Sequence, residues 1–338
     1  MRLRTPRWWY VRDRRSMPMI RALLTPVAWV WAWATARRIA RGRPVDPGVP
    51  VICVGNLTVG GSGKTPVVLA LARLLASDGQ TPHILSRGHG GRLAGPVRVD
   101  PAIHTAADVG DEPLMMASRA PVWVARDRAA GALAAARAGA GLIIMDDGHQ
   151  NPAVKKTLSI VVVDGETRDD EWPFGDGAVF PAGPMREPLA AGLARADLVV
   201  VLRPADLADA DPELLDALGA APVLGASLTP AAPPPAGPQL GFAGIAKPWK
   251  MERALKAAGC DLVDFAPLAD HATISEATLS FLAARANALG AGLITSEKDW
   301  TRLPPAWRAR VAAWPVEALF DDPEAVAATL RGAGGILR

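Results

Sequence analysis

Apolar residues recur along this chain in two rhythms. Short unbroken runs stand at Val51 to Val54, His83 to Ser86, Val122 to Ala125, Leu142 to Met145, Leu158 to Val163 and Leu198 to Leu202. Bounded by glycine, proline or charge, such runs predict strands buried on both faces. Between several of them the spacing turns helical, as at Val67, Val68, Leu71, Leu74 and Leu75, and again over Ala129 to Ala138. Strand and helix in alternation predict an α/β fold, a parallel sheet with helices on both faces. A proline-rich connector, residues 230–238, precedes a second round of the pattern. Strand Leu240 to Ala243, helix Trp249 to Ala258, strand Leu262 to Phe265, helix Glu276 to Ala288 and strand Gly292 to Thr295 predict a smaller α/β lobe. The expected division is a segment at 1–45, a core at 46–225 and the lobe at 226–338, with a boundary near residue 155 as the alternative. No repeat of fixed period is visible.

The first strand runs into Gly55-Asn-Leu-Thr58-Val59-Gly60-Gly61-Ser62-Gly63-Lys64-Thr65, and a helix follows. Strand, glycine loop, Lys-Thr and helix is the layout of a P-loop NTPase. Its backbone N–H groups converge on phosphate, its Lys reaches the β/γ-phosphates and its Thr hydroxyl ligates Mg²⁺. Thr58 stands where the general pattern has glycine, and Gly60-Gly61 can supply the missing flexibility. A merely flexible turn is the bland alternative, and the full strand–helix context disfavours it. The strand Leu142 to Met145 ends in Asp146-Asp147-Gly148. A carboxylate there can hold Mg²⁺ or polarise a nucleophile, although Asp-Asp-Gly is also ordinary turn chemistry. Four further stretches are chemically suggestive, each with a plain reading as a turn or helix end. They are Ser86-Arg87-Gly-His89-Gly-Gly91, Gly110-Asp111-Glu112-Pro113, Phe180-Pro-Ala-Gly-Pro-Met-Arg186-Glu187-Pro188 and Thr295-Ser-Glu297-Lys298-Asp299. Asp270-His271 adds one of only five histidines.

Charge changes the picture at one end. The chain of 338 residues has a net charge of +3, yet residues 1–43 hold eleven Arg against one Asp, which leaves −7 for residues 44–338. A nucleic-acid-binding body is thereby disfavoured. Two cysteines, Cys53 and Cys260, exclude a disulfide framework and suit a reducing compartment. The basic segment interleaves Arg with Trp8, Trp9, Tyr10, Trp29, Trp31 and Trp33, and fifteen uncharged residues run from Ala22 to Ala36. That is short of the ~20 a spanning helix needs, and Pro26 is expected to interrupt it. A signal peptide fits the basic start but not a cytosolic nucleotide domain behind it. A buried helix fits the run but not its Arg flanks. An interfacial helix fits both, because Trp favours the headgroup zone and Arg attracts anionic lipid.

Taken together, Gly55-Asn-Leu-Thr-Val-Gly-Gly-Ser-Gly-Lys-Thr-Pro66, Ser86-Arg-Gly-His-Gly-Gly91, Gly110-Asp-Glu-Pro113, Asp146-Asp-Gly-His-Gln150, Pro181-Ala-Gly-Pro-Met-Arg-Glu187, Ala269-Asp-His271 and Glu297-Lys-Asp299 resemble the tetraacyldisaccharide 4'-kinase (lipid A 4'-kinase) family. The resemblance runs in order over most of the chain. His89 stands where the family commonly has Tyr, and His149-Gln150-Asn151 where Leu-Gln-His is common. The resemblance implies an ATP- and Mg²⁺-dependent kinase at the cytoplasmic face of the bacterial inner membrane. It would phosphorylate the 4'-hydroxyl of a tetraacylated glucosamine disaccharide 1-phosphate embedded in that membrane. It implies Asp111 as general base tuned by His271, and Lys64 on the phosphates within a nucleotide-binding set of Thr58 to Thr65, Arg87 and His89. Thr65, Asp146, Asp147 and Glu187 would order Mg²⁺, and Arg87, Arg128 and Arg186 would stabilise the transferring group. No protein partner is implied. The rival reading is a P-loop switch or metallochaperone-type NTPase. It accounts for the P-loop and Asp146-Asp147 but not for the Trp/Arg segment or the Asp-His pair. No Asn-Lys-x-Asp guanine motif follows the strand ending at Leu202, where Arg203-Pro-Ala-Asp206 stands instead, which leans to ATP.

Overall fold

The computed structural model describes residues 6–12, 17–270 and 274–333. Its strands are β1 (Val51–Gly55), β2 (Pro82–Ser86), β3 (Val97–Arg98), β4 (Val122–Val124), β5 (Leu142–Asp146), β6 (Leu158–Asp164), β7 (Leu198–Pro204), β8 (Val223–Pro230), β9 (Gln239–Ala243), β10 (Leu262–Pro267), β11 (Gly292–Ser296), β12 (Val311–Trp314) and β13 (Val316–Phe320). Among the described residues nine form one sheet in the order β13-β8-β7-β6-β1-β5-β2-β4-β3, and four form a second in the order β10-β9-β11-β12. The inner strands of the large sheet are parallel, and antiparallel pairing is confined to its edges, β13 on β8 and β3 on β4.

Alternation along β1 divides the core. Ile52 and Val54 face the helix α2 (Lys64–Ser77), whose Val67, Val68, Leu71 and Leu75 are wholly buried. Val51 and Cys53 face the other way, onto Ala132 and Ala135 of the helix Arg128–Arg137. Helices therefore cover both faces, as the unbroken apolar runs require. Burial pushes the Cys53 thiol up to about 11, which removes it from thiolate chemistry.

The small sheet has its own core around Leu240, Phe242, Leu279, Leu282 and Trp307. The expected boundary at 226 needs correcting at both ends. β8 continues in the large sheet to Pro230, and β13 returns to pair with it. The last helix, Pro323–Gly332, buries Val326 and Leu330 in the large core. The smaller lobe is thus an insertion whose two crossings lie side by side.

At the front of the chain, α1 (Pro18–Ala40) runs without a break through Pro26, where an interruption was expected. Its inner side is held by Arg21, which pairs with Asp176 at 2.6 Å, and by Trp31 against Phe180 with ring centroids 4.9 Å apart. These tertiary contacts offset the lost backbone hydrogen bond. Its outer side leaves Leu23 78%, Trp29 71% and Trp33 60% exposed. No helix among the described residues is long and apolar enough to cross a membrane.

Candidate active site

β1 delivers the glycine loop at its C-terminal end, between β5 and β6. Gly60 and Gly63 adopt φ of 109° and 76°, the left-handed region that a side chain disfavours. A Cβ on Gly63 would also come within 2.3 Å of Leu202 Cδ2. Thr58 is tolerated because it forms an antiparallel bridge with Met185 and so needs no glycine geometry. The front of the loop is pinned from several sides. Asn56 Nδ2 and Arg186 Nε each donate to the Thr58 carbonyl at 2.9 Å, and Val59 N donates to the Pro184 carbonyl at 2.7 Å. The Tyr10 phenol donates to the Val59 carbonyl. Ser62 is 4% exposed, and its hydroxyl has no protein partner among the described residues. Beside Gly61, Ser62 and Gly63 opens a cavity of about 330 Å³, walled by Leu202 and by Lys250 and Arg253 of the smaller lobe.

The β1–β5 register sets Val54 opposite Asp146, and Asp147 N donates to the Val54 carbonyl at 2.9 Å. The two neighbouring acids then diverge. Asp147 turns out at φ 52°, its Oδ1 receiving Arg186 Nη1 at 2.7 Å and facing Lys64 Nζ at 3.4 Å. Burial would raise its pKa, but these cations outweigh it and hold the carboxyl well below the usual range. Asp146 stays inside. Burial, with the charges of Glu112 and Asp147 added, pushes it up to about 6. Its Oδ2 accepts from Ser86 Oγ at 3.2 Å, while Oδ1 is buried with no partner among the described residues. A lone inward carboxylate oxygen within the influence of the Lys64 charge fits one or two direct protein ligands to a hard cation. No cluster of three or more His, Cys, Asp or Glu able to hold a metal exists among the described residues. A single buried carboxylate oxygen suits Mg²⁺, which keeps water and phosphate oxygens in its shell.

A second acid pair opens the helix Asp111–Met116, near enough for the charge of Glu112 to act on Asp146. Asp111 Oδ1 accepts from Glu112 N at 3.0 Å, and Arg302 Nε lies 3.7 Å from its Oδ2. Glu112 receives Lys298 Nζ at 2.9 Å. Burial would raise Glu112, but the Lys298 ammonium overcomes it and the carboxyl lies below its ordinary value. Lys298 shifts the opposite way, since Glu112, Asp111 and Asp270 together outweigh its own burial. Asp111 and Glu112 come from the large unit, whereas Asp270, Lys298 and Arg302 come from the insertion, so the two units meet over these charges. Arg119 and Glu297 add a second ion pair across the same seam at 2.7 Å.

Several expected site residues are engaged elsewhere. Glu187, expected on Mg²⁺, is 3% exposed and grips Arg195 Nη2 with both oxygens at 2.6 and 2.7 Å, while Gln150 Nε2 donates to it at 2.9 Å. It carries a structural ion pair, and its side chain is not free for a cation. Arg128, expected on the transferring group, is equally committed: it donates to the carbonyls of Leu85 at 3.2 Å and Asp146 at 2.9 Å, tying the ends of β2 and β5 together. Arg87 and His89 lie exposed on their loop. His149 is buried and held by burial at about 4, with Nε2 against the Gly192 carbonyl, so it is neutral near pH 7. Asn151 accepts from Ala153 N in a local turn. His271 lies outside the described residues. Sequence reasoning missed Tyr10 as a loop contact, and Arg302 and Arg195 altogether. Nothing local distinguishes those arginines from the many others in the chain.

A family model described as LpxK, tetraacyldisaccharide-1-P 4'-kinase, matches residues 20–333. A tetraacyldisaccharide 4'-kinase of Phenylobacterium zucineum is 68% identical over 332 residues, covering 98% of this chain and 100% of that protein. The chain belongs to the tetraacyldisaccharide-1-P 4'-kinase family. A second member, from Caulobacter vibrioides, is 64% identical over 334 residues, covering 99% of this chain and all of the relative. The family's fold is seen as well in a crystal structure of LpxK from Aquifex aeolicus, described as an "apo" form in complex with ATP. It is 24% identical with a TM-score of 0.72, and the match covers 93% of this chain and 99% of that one.

Proposed function

We propose that this protein transfers the γ-phosphoryl group of ATP to the 4'-hydroxyl of a tetraacylated glucosamine disaccharide 1-phosphate. The observation that carries this reading is the presence of two acid pairs: Asp146-Asp147 beside the glycine loop, with Asp147 Oδ1 3.4 Å from Lys64 Nζ, and Asp111-Glu112 on the seam of the two units, with Glu112 2.9 Å from Lys298 Nζ. One suits a magnesium nucleotide and the other an acceptor hydroxyl. A nucleotide switch has no use for the second.

In this reading Lys64 and the loop N–H groups bind the β/γ-phosphates, with Asp147 keeping the Lys64 ammonium aimed. Asp146 and Thr65 would hold Mg²⁺, which when bound neutralises charge on the phosphate oxygens. Asp147 contributes through Lys64 and Arg186 rather than as a direct ligand. Arg186, fixed by Thr58 and Asp147, supplies a further cation to the phosphoryl oxygens. Asp111 accepts the proton of the sugar hydroxyl as that oxygen attacks, because an alcohol is too weakly acidic to lose it unaided near neutral pH. His271 is expected to hydrogen-bond Asp111, while Arg87 and His89 remain candidate nucleotide contacts. The exposed Leu23, Trp29 and Trp33, flanked by Arg, support seating of α1 in an anionic membrane surface. That arrangement fits a peripheral enzyme on the cytoplasmic face of the inner membrane, working where an acylated acceptor lies.

The deciding experiment incubates purified protein with ATP, Mg²⁺ and the lipid disaccharide, and reads acceptor and nucleotide by mass spectrometry. The expected result is one phosphate gained per ATP consumed, with ATP stable when the acceptor is omitted. Hydrolysis at the same rate without acceptor would replace the kinase by a switch NTPase.

A further inference from the structure

The short helix Arg7–Tyr10 lies against the phosphate loop, not merely ahead of the membrane helix. Tyr10 is 7% exposed. Its phenol donates to the Val59 carbonyl, its ring receives Lys247 Nζ of the smaller lobe at 4.5 Å, and its own carbonyl accepts from Trp172 N at 2.6 Å. Arg7 reaches the smaller lobe too, stacking over Trp249 at 4.7 Å. A second route from the same segment runs through α1. Trp31 Nε1 donates to the Arg186 carbonyl at 3.1 Å, and Phe180 is flanked by Trp9 and Trp31 at 5.8 and 4.9 Å.

The geometry at Val59 gives the phenol a specific consequence. A peptide unit is planar and trans, so the Val59 carbonyl and the Gly60 N–H point in opposite directions from one rigid plane. Val59 N is already fixed on the Pro184 carbonyl. With the carbonyl fixed as well, the plane cannot rotate, and Gly60 N–H is aimed away from Tyr10. The next residues, Gly60 and Gly61, have no side chain to hold that aim themselves.

We infer that Tyr10 is a positioning residue for the phosphate loop: its hydroxyl orients the Val59–Gly60 peptide so that the loop N–H groups are set for nucleotide phosphate before nucleotide arrives. The N-terminal segment then shapes the site as well as carrying the membrane helix. This rests on the kinase reading above.

The test is Tyr10→Phe in the full-length protein, which keeps the ring on Lys247 and removes only the hydroxyl. Binding of MgADP is measured by calorimetry, and KM and kcat are measured with MgATP and the lipid acceptor. Losing one ordinary hydrogen bond predicts MgADP binding and KM for MgATP weakened by roughly three- to tenfold. The KM for lipid and vesicle sedimentation are expected unchanged, the melting temperature should stay within a few degrees of the parent, and amide exchange over residues 59–63 should quicken. Nucleotide affinity within twofold of the parent overturns the proposal. So does a lowered melting temperature with no change in KM for MgATP, which would make Tyr10 a packing residue. Should the parent bind MgADP yet fail to phosphorylate the lipid, the kinase reading fails while the loop assignment is still judged by MgADP. A parent that binds no nucleotide sinks both.

Discussion

Asp146 and Asp147 take their surroundings from the large sheet, whereas Asp111 and Glu112 take theirs from both units. In the first pair, neighbours in sequence are driven apart because burial raises both and only Asp147 meets cations that outweigh it. One stays behind the strand end with an unshared oxygen and a pKa raised to about 6, and the other turns out onto Lys64 and Arg186 and is lowered. In the second pair the cations arrive from nearly two hundred residues away, at Lys298 and Arg302. The difference teaches that the magnesium side of the site is built when the large sheet folds. The acceptor side is complete only when the insertion docks. Glu112 links the two, since its charge contributes to the rise of Asp146 and it feels Lys64 in turn.

The largest test of this contrast is Asp111→Ala. Turnover is expected to fall by roughly two to four orders of magnitude, typical for loss of a general base, with MgADP affinity intact. Single-turnover kinetics beside calorimetry would check it, and near-normal turnover would take Asp111 out of the role.

A smaller effect separates the pairs by pH. The Asp146 carboxyl is protonated below its raised pKa of about 6. Magnesium affinity should therefore weaken about fivefold between pH 6 and pH 5 as this ligand gains its proton. The sign for stability is opposite. Because the folded protein favours the protonated form, Asp146 contributes stability below its ordinary 3.8 that is lost as pH rises through about 6. In Asp146→Asn the pH dependence of magnesium binding should vanish. If the slope persisted there, another group would be responsible.

The smallest test concerns the acid that belongs to neither pair. Glu187→Gln should leave magnesium binding unchanged and destabilise the fold by about 1–3 kcal/mol through the weakened Arg195 contact, read by denaturant titration. Loss of magnesium affinity at unchanged stability would return Glu187 to the cation.

How much of this could be read from the chain varies by element. β1, β2, β5, β6 and β7 were legible because strands buried on both faces are written as continuous apolar runs. β8 and β13 were not: they form the outer end of the sheet, are half-buried, and mix apolar residues with Gly, Ser, Pro or Glu. Missing them put the end of the smaller lobe at the chain's end, when the chain in fact returns to the large sheet. Pro26 misled for a related reason, since a helix packed on Asp176 and Phe180 withstands a residue that an isolated one would not. Thr58 looked like a departure from the loop pattern until its bridge to Met185 placed it in extended backbone.

By itself the sequence determined the phosphate loop and the strand that ends in Asp146-Asp147, because glycine conformations, a Lys-Thr helix start and buried apolar runs are local properties. Only tertiary structure decided which carboxylate keeps an unshared oxygen. Glu187, Arg128 and Asp147 are all plausible ligands or cations in one dimension. Arg195, the carbonyls of Leu85 and Asp146, and Arg186 settle their engagements. Burial and the nearest opposite charge fix what an ionisable group can do, and both are set by residues that meet only after the chain has folded.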